Sequence, residues 1–184
     1  QYKNKEYAGA VESLSKAVTA GVNTREVFLY RGYSLYAQKS NDLALTDLEK
    51  AVGMGASEVE AFKIIGDLYF LKNDFASAIK NYDKVIQLDQ KDPLVYNNRG
   101  KAKANTKDFN GAIADYDKAI QLKPDYAKAY LNRGYAKYSI NDFAGTTVDL
   151  EKGKSTEGES PEITKMLGIA YYNTKNVDQA LTNL

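Results

Sequence analysis

The sequence predicts an all-α solenoid of antiparallel helix pairs, and three observations carry that prediction. Gly32, Gly66, Gly100, Gly134 and Gly168 stand 34 residues apart. A second row, Ala10, Ala44, Ala78, Ala112, Thr146 and Ala180, runs at the same interval, and four residues after each stands Leu14, Leu48, Tyr82, Tyr116, Leu150 or Leu184. Within a period, turn and cap residues separate two stretches whose apolar residues step by three and four, the spacing of one helix face. Two rows in phase mark an internal repeat, in which each unit buries its apolar face only against its neighbours.

Taken in order, residues 7–19 form a first helix that ends before Gly21. A pair follows over 26–39 and 42–52, where Gly53 and Gly55 stop the second helix early. The next pair covers 60–72 and 75–88, with Asp74 as N-cap and Asn73 suited to the left-handed turn before it. In 93–126, Asp92 and Pro93 supply a cap and a favoured first helical residue. Val95, Tyr96, Gly100 and Ala102 make the inward stripe of that helix. Asp108 then caps a helix whose Ala112, Ile113, Tyr116, Ala119 and Ile120 share a face. Asn141 and Asp142 separate a further pair over 128–140 and 143–152. The polar, glycine-containing run 153–160 reads as an irregular loop, after which Ser160 and Pro161 restart the pattern. Ten helices or part-helices and no strand are expected.

Placing Gly100 at position 8 puts Tyr96, Ala112, Tyr116, Ala119 and Pro124 at positions 4, 20, 24, 27 and 32, and Phe62, Gly66, Tyr69, Ala78, Tyr82 and Val85 keep the frame one repeat earlier. Tyr130, Gly134 and Leu150 keep it one repeat later. This pattern resembles the tetratricopeptide repeat (TPR), and the resemblance covers the whole chain. It implies a right-handed superhelical solenoid in one domain, with a partial repeat over 1–24, full repeats over 25–58, 59–92, 93–126 and 127–160, and a partial repeat over 161–184. Both ends then fall inside a helix, so the frame implies a fragment of a longer protein. Several positions depart from the pattern. Lys103 and Lys137 stand where a large residue is usual, Gln90 replaces the last proline, and Thr146 and Gly153 replace alanines, substitutions expected to weaken local packing.

Composition narrows the function. Lys and Arg number 25 against 24 Asp and Glu, a net charge of +1 without a concentrated basic face, which argues against a nucleic-acid partner. The chain has no Cys and no His, so zinc sites and Cys/His or Ser/His nucleophile systems are excluded within it. Lack of cysteine suits a reducing or an oxidising compartment alike. No run approaches the roughly 18 apolar residues of a membrane span, so no direct membrane insertion is expected of this stretch. Gly153, Lys154 and Ser155 end like a phosphate-binding loop, but Val148 stands where its first glycine belongs. Glu58 likewise takes the third glycine of a dinucleotide fingerprint begun by Gly53 and Gly55. Ser34, between Tyr33 and Leu35, lies in a helix and lacks the setting of a nucleophile elbow. The remaining carboxylates and lysines are spread as solvated charge. The expectation is a noncatalytic protein, with no catalytic, cofactor or metal site.

The TPR resemblance implies that the first helix of each repeat lines a groove for an extended peptide or a partner helix. Carried over position by position, it selects Tyr33, Tyr36, Lys63, Asn97, Asn98, Lys101, Lys128, Asn132, Tyr135 and Tyr138 as peptide-binding candidates. Tyrosine offers rigid contact area with a polar tip, and asparagine can both donate to and accept from a peptide backbone. Tyr96 and Tyr130 read instead as fillers between helices. Some TPR domains grip a C-terminal carboxylate through five positions, which here hold Lys63, Asp67, Asn98, Lys128 and Asn132. Asp67 would repel an anion where the pattern has a donor, so the resemblance implies a weaker, salt-sensitive contact through Asn98, Lys101 and Lys128, with Asn97 and Asn132 reaching a peptide backbone. The implied role is a protein-interaction scaffold, compatible with membership of a larger assembly. Two alternatives stay open: a carbohydrate or small-molecule binder using the same Tyr and Asn residues, and a structural segment of an assembly.

One further pattern is internal to the chain. The repeats with Arg31, Arg99 and Arg133 at position 7 carry Asp47, Asp115 and Asp149 at position 23, whereas those with Ile65 and Leu167 carry Asn81 and Asn183. Each Arg is therefore expected to pair with the Asp of its own repeat, in a partly buried bidentate geometry.

Overall fold

The computed structural model describes residues 2–158 and 160–183, all in helices and the turns between them. Eleven helices follow in order: α1 (Tyr2–Thr19), α2 (Arg25–Ala37), α3 (Asn41–Gly53), α4 (Val59–Leu71), α5 (Phe75–Leu88), α6 (Pro93–Asn105), α7 (Phe109–Leu122), α8 (Ala127–Ser139), α9 (Phe143–Glu157), α10 (Pro161–Asn173) and α11 (Val177–Asn183). They form two compact units, residues 1–88 and 89–184. In the first, α2 packs on α3 and α4 on α5; in the second, α6 packs on α7, α8 on α9 and α10 on α11.

Five turns inside the helix pairs share one construction. After α4, the Asn73 amide donates to the Phe70 carbonyl and the Asp74 amide to the Tyr69 carbonyl, both at 3.0 Å, the paired bonds of a Schellman motif. The same two bonds recur at Lys39 and Ser40, Lys107 and Asp108, Asn141 and Asp142, and Lys175 and Asn176. Lys39, Asn73, Lys107, Asn141 and Lys175 all take φ between 60° and 65°. The residue that closes one helix then opens the next. Asp74, Asp108 and Asp142 accept the amides of Ser77, Gly111 and Gly145 at 3.1, 3.0 and 2.9 Å, satisfying donors that a helix start leaves unpaired. After α1 and α3 the left-handed residue is a glycine, Gly21 or Gly55.

The glycine row marks close approach of paired helices. A Cβ built on Gly32, Gly66, Gly100 or Gly134 would come within 2.7 Å of Leu48, Tyr82, Tyr116 or Leu150 respectively. Ala44, Ala78 and Ala112 are wholly buried. Thr146, in the same row, is also wholly buried, and its hydroxyl donates to the Asp142 carbonyl at 2.8 Å. The hydroxyl is thus accommodated without an unpaired group.

Three expectations about the helices need correction. There are eleven helices in place of ten. The first begins at Tyr2, not residue 7: Glu6 stands two periods before the capping Asp74, and its longer side chain is outside the favoured cap set, so the helix runs through. The loop expected over 153–160 is mostly helix, since α9 continues to Glu157 and turns only at Gly158, with φ 92°. Gly153 is a packing residue and not a helix stop. Its missing side chain admits Leu131, whose Cδ2 would lie 2.4 Å from a Cβ there. Residue 159 lies outside the described residues.

The Arg–Asp pairs are present in all three repeats. Arg31 reaches Asp47 through Nε at 2.6 Å and Nη2 at 2.8 Å. Arg99 reaches Asp115 at 3.0 and 2.5 Å, and Arg133 reaches Asp149 at 2.8 and 2.5 Å, through the same two nitrogens. Each joins the two helices of its repeat. Lys103 and Lys137 are no packing defects: their ammonium groups lie 2.9 Å from Asp115 and Asp149. Asp149 has no exposed surface and is thereby held by two cations, as a buried carboxylate requires. The position 4 aromatics support these pairs, with the guanidinium carbons of Arg31, Arg99 and Arg133 lying 5.6, 5.7 and 5.4 Å from the ring centres of Phe28, Tyr96 and Tyr130, within cation–π range.

Candidate interaction site

Of the ten sequence-selected residues, Tyr33, Tyr36 and Lys63 lie in the first unit and the other seven in the second. Tyr33 and Tyr36, on α2, are half-buried against the core that contains Phe28, Leu35, Leu48 and Ile64. Burial, followed by the charges of Glu58 and Glu60, pushes the Tyr33 phenol up to about 12, and burial followed by Asp67 raises that of Tyr36. These rings are part of the fold as well as of its surface. Tyr30, in contrast, is 57% exposed and meets Tyr33 edge-on at 6.5 Å. Asp67 accepts a hydrogen bond from the Tyr82 hydroxyl at 2.7 Å, so this carboxylate helps to join α4 to α5.

In the second unit three of the seven, Lys101, Asn132 and Tyr135, wall one cavity, and Asn97, Asn98, Lys128 and Tyr138 lie outside its lining. It has a volume of about 190 Å³ and is walled by Lys101, Ala104 and Asn105 of α6, Phe109 and Tyr116 of α7, and Asn132, Tyr135, Ala136 and Ser139 of α8. Tyr135 is half-buried, packs on the Leu150, Ile163 and Leu167 cluster, and has its phenol raised by burial and then by Glu162. Tyr138 stacks edge-on with Phe143 at 5.8 Å. Lys128 is exposed and Asn98 partly buried.

Asn97 is not presented to a ligand as expected. It is only 4% exposed, and its Oδ1 accepts from Asn132 Nδ2 at 2.9 Å. A helix–helix amide pair of this kind fixes the orientation of Asn132 at the cavity wall. The sequence frame placed both residues on the same face but could not show that one lies beneath the other.

Tyr116 also contributes to the wall of this cavity, although position 24 is a core position in the repeat frame. It is 1% exposed, and burial followed by the charge of Asp115 raises its phenol well above the usual range. Its equivalent one repeat earlier, Tyr82, bonds Asp67, and one period after Asp67 stands Lys101.

Among the described residues, no three His, Cys, Asp or Glu side chains are grouped so as to hold a metal ion, and no helix is long and apolar enough to cross a membrane.

Paired helices in a 34-residue period, with glycine and small-residue rows at the contacts, define a TPR-type solenoid fold. Residues 66–107 and 105–141 match the family model of the TPR repeat. No curated protein is similar enough in sequence to match. Solved structures share the fold. That of the MamA protein is 22% identical, with a TM-score of 0.78 over 86% of this chain and 87% of the other. That of YrrB, described as a TPR protein with an unusual peptide-binding site, is 15% identical, with a TM-score of 0.79 over 94% of this chain and 89% of the other. A MamA structure from Desulfovibrio magneticus RS-1, spanning residue 41 to the end, is 16% identical, with a TM-score of 0.76 over 86% and 90%.

Proposed function

We propose that the chain is a noncatalytic protein-interaction scaffold that takes an extended peptide or a partner helix along the face formed by the first helices of its repeats. The observation that carries this reading is the cavity between α6 and α8, where Lys101, Asn132 and Tyr135 meet. YrrB, which shares the fold, is described as having a peptide-binding site. The side chains at the cavity suit a peptide, because amides and phenols can bond its backbone while a lysine attracts an acidic group. The contact uses Asn98, Lys101, Lys128 and Asn132 and is salt-sensitive, as exposed charge pairs are.

Affinity capture with the whole chain, followed by mass spectrometry, identifies the partner. Binding of that partner to the Lys101→Ala/Lys128→Ala double variant is then measured across a salt series. The expected result is weaker binding and a shallower salt slope in a protein folded by circular dichroism. Unchanged affinity and slope would remove this face from consideration, and selective retention of glycans on an array would replace the peptide with a carbohydrate.

A further inference from the structure

We infer that the first unit holds a primary ammonium group of a ligand between the rings of Tyr30 and Tyr33 and the carboxylate of Glu58. This deepens the interaction reading above by giving the ligand a basic group, and rests on that reading for the group's biological source. Glu58 occupies the cap position before α4, with φ −66° and ψ 125°, yet its side chain bonds none of the first amides of that helix. Its Oε2 is buried and has no hydrogen-bond partner among the described residues. A buried carboxylate oxygen left unpaired is costly, so its donor is expected to come from outside the chain.

The neighbouring groups favour a cation. Glu58 is the charge that acts most strongly on the Tyr33 phenol, followed by Glu60, whereas three residues on Tyr36 feels Lys63 as well as Asp67 and Glu60. Arg25 is already engaged, its guanidinium lying 2.9 Å from Glu26 and donating to the Gly55 carbonyl at 3.4 Å. Tyr30, 57% exposed, meets Tyr33 edge-on, with ring centres 6.5 Å apart and planes at 69°. The face of such a ring attracts an ammonium within about 6 Å of its centre, and a carboxylate beside it adds a charge-assisted bond. The repeat frame sets this place apart from the second unit. Positions 6 and 9 hold Tyr30 and Tyr33 here but Asn98 and Lys101 two repeats later, and position 2 of the following repeat changes from Glu60 to Lys128. Equivalent positions thus carry opposite charge, and a cation is favoured at the tyrosines where an acidic group is favoured at Lys101 and Lys128. A lysine side chain and a chain's free amino end both present this chemistry.

The test uses the whole chain, labelled with ¹⁵N and with ¹³C in its tyrosine rings, and small probes that need no partner protein. N-acetyllysine N-methylamide supplies a side-chain ammonium, glycine N-methylamide a terminal one, and the lysine probe acetylated at its side-chain nitrogen is the uncharged control. At least one ammonium probe is expected to give saturable shifts at the Tyr30 and Tyr33 rings and at the Glu58 and Glu60 amides. Its affinity should exceed that of the control at least about tenfold, the scale of one charge-assisted hydrogen bond. Whichever probe responds names the source. Glu58→Gln should weaken binding by a similar factor without lowering the melting temperature, because the oxygen it alters has no partner in the fold. Tyr30→Ala should weaken binding as well, through loss of the ring face. Saturation by neither ammonium, equal binding of the control, or an unaffected Glu58→Gln or Tyr30→Ala variant would each overturn the proposal. So would a Glu58→Gln variant that loses binding only together with a lower melting temperature, since Glu58 would then serve the fold. The Lys101→Ala/Lys128→Ala variant probes the second unit and Glu58→Gln the first, so the two readings fail separately.

Discussion

At the scale of single residues, the Arg–Asp pairs turn a sequence covariation into an energetic statement. An exposed ion pair contributes about 0–1 kcal/mol, but Asp47 is 4% exposed and is bound at both oxygens by Arg31. Removing only its charge strands a guanidinium in a partly desolvated place. Asp47→Asn is expected to cost about 2 kcal/mol or more in urea unfolding. Adding Arg31→Ile should recover most of that loss, because Ile65 with Asn81 is the combination that the chain itself uses one repeat later. A double variant as unstable as the single one would mean that the pair does not act as a unit. Lys103 and Lys137 were legible by the same logic carried further. They occur only in repeats whose Asp is already matched by an Arg, and the 34-residue frame judged them by size where charge was the relevant property.

At the scale of the helix, what could be read was local and what could not was a contact. The caps at Asp74, Asp108, Asp142 and Ser160 are local chemistry, and all four accept the expected backbone amides. The asparagines at the left-handed turns are equally local. Lys39, Lys107 and Lys175 adopt the same conformation with no intrinsic preference for it, so only their phase in the repeat could have revealed them. Gly153 is the reverse case: its neighbours in sequence suggest a stop, whereas Leu131 of α8 explains its presence. The same distinction yields a prediction. A Cβ on Gly9, inside α1, meets nothing within 4 Å, so Gly9→Ala should stabilise by about 0.5–1 kcal/mol. Gly153→Ala, which would press on Leu131 and lie 3.2 Å from the Ala127 carbonyl, should destabilise despite the same gain in helix propensity. Thermal melts of the two variants moving in the same direction would refute the assignment of Gly153 as a packing residue.

At the scale of the whole molecule, the chain contains 15 tyrosines and neither histidine nor cysteine. Nothing with an ordinary side-chain pKa between about 5 and 8 is therefore present to titrate. Burial raises the phenols of Tyr33, Tyr36, Tyr116 and Tyr135, and for Tyr69 the leading cause is its hydrogen bond to Glu49, which holds it at about 12. A group whose pKa is raised by folding stabilises fully below its unfolded value and loses that contribution as the pH rises through the folded one. The tyrosine contribution to stability should therefore be level from about pH 6 to 9 and fall between about pH 10 and 12. Denaturant midpoints across that range, followed together with phenolate absorbance, check it: phenols that all ionise near 10 while the protein stays folded would contradict the burial described. The candidate site was legible at this scale only as a set of repeat positions. Which of them open on a cavity depends on neighbours such as Asn97 beneath Asn132, a relation between two helices that no single period contains.

The placement of each Arg on the first helix of a repeat and its Asp on the second also bears on how such a chain can diversify. Recombination between repeats that breaks in the turn would join a helix carrying Ile65 to one carrying Asp115, or Arg99 to Asn81, and leave a buried or half-buried charge without its counter-ion. A break between repeats transfers both partners together. The ion pairs therefore penalise one class of crossover and spare the other, so the complete helix pair is the unit that could be exchanged without separating an Arg from its Asp.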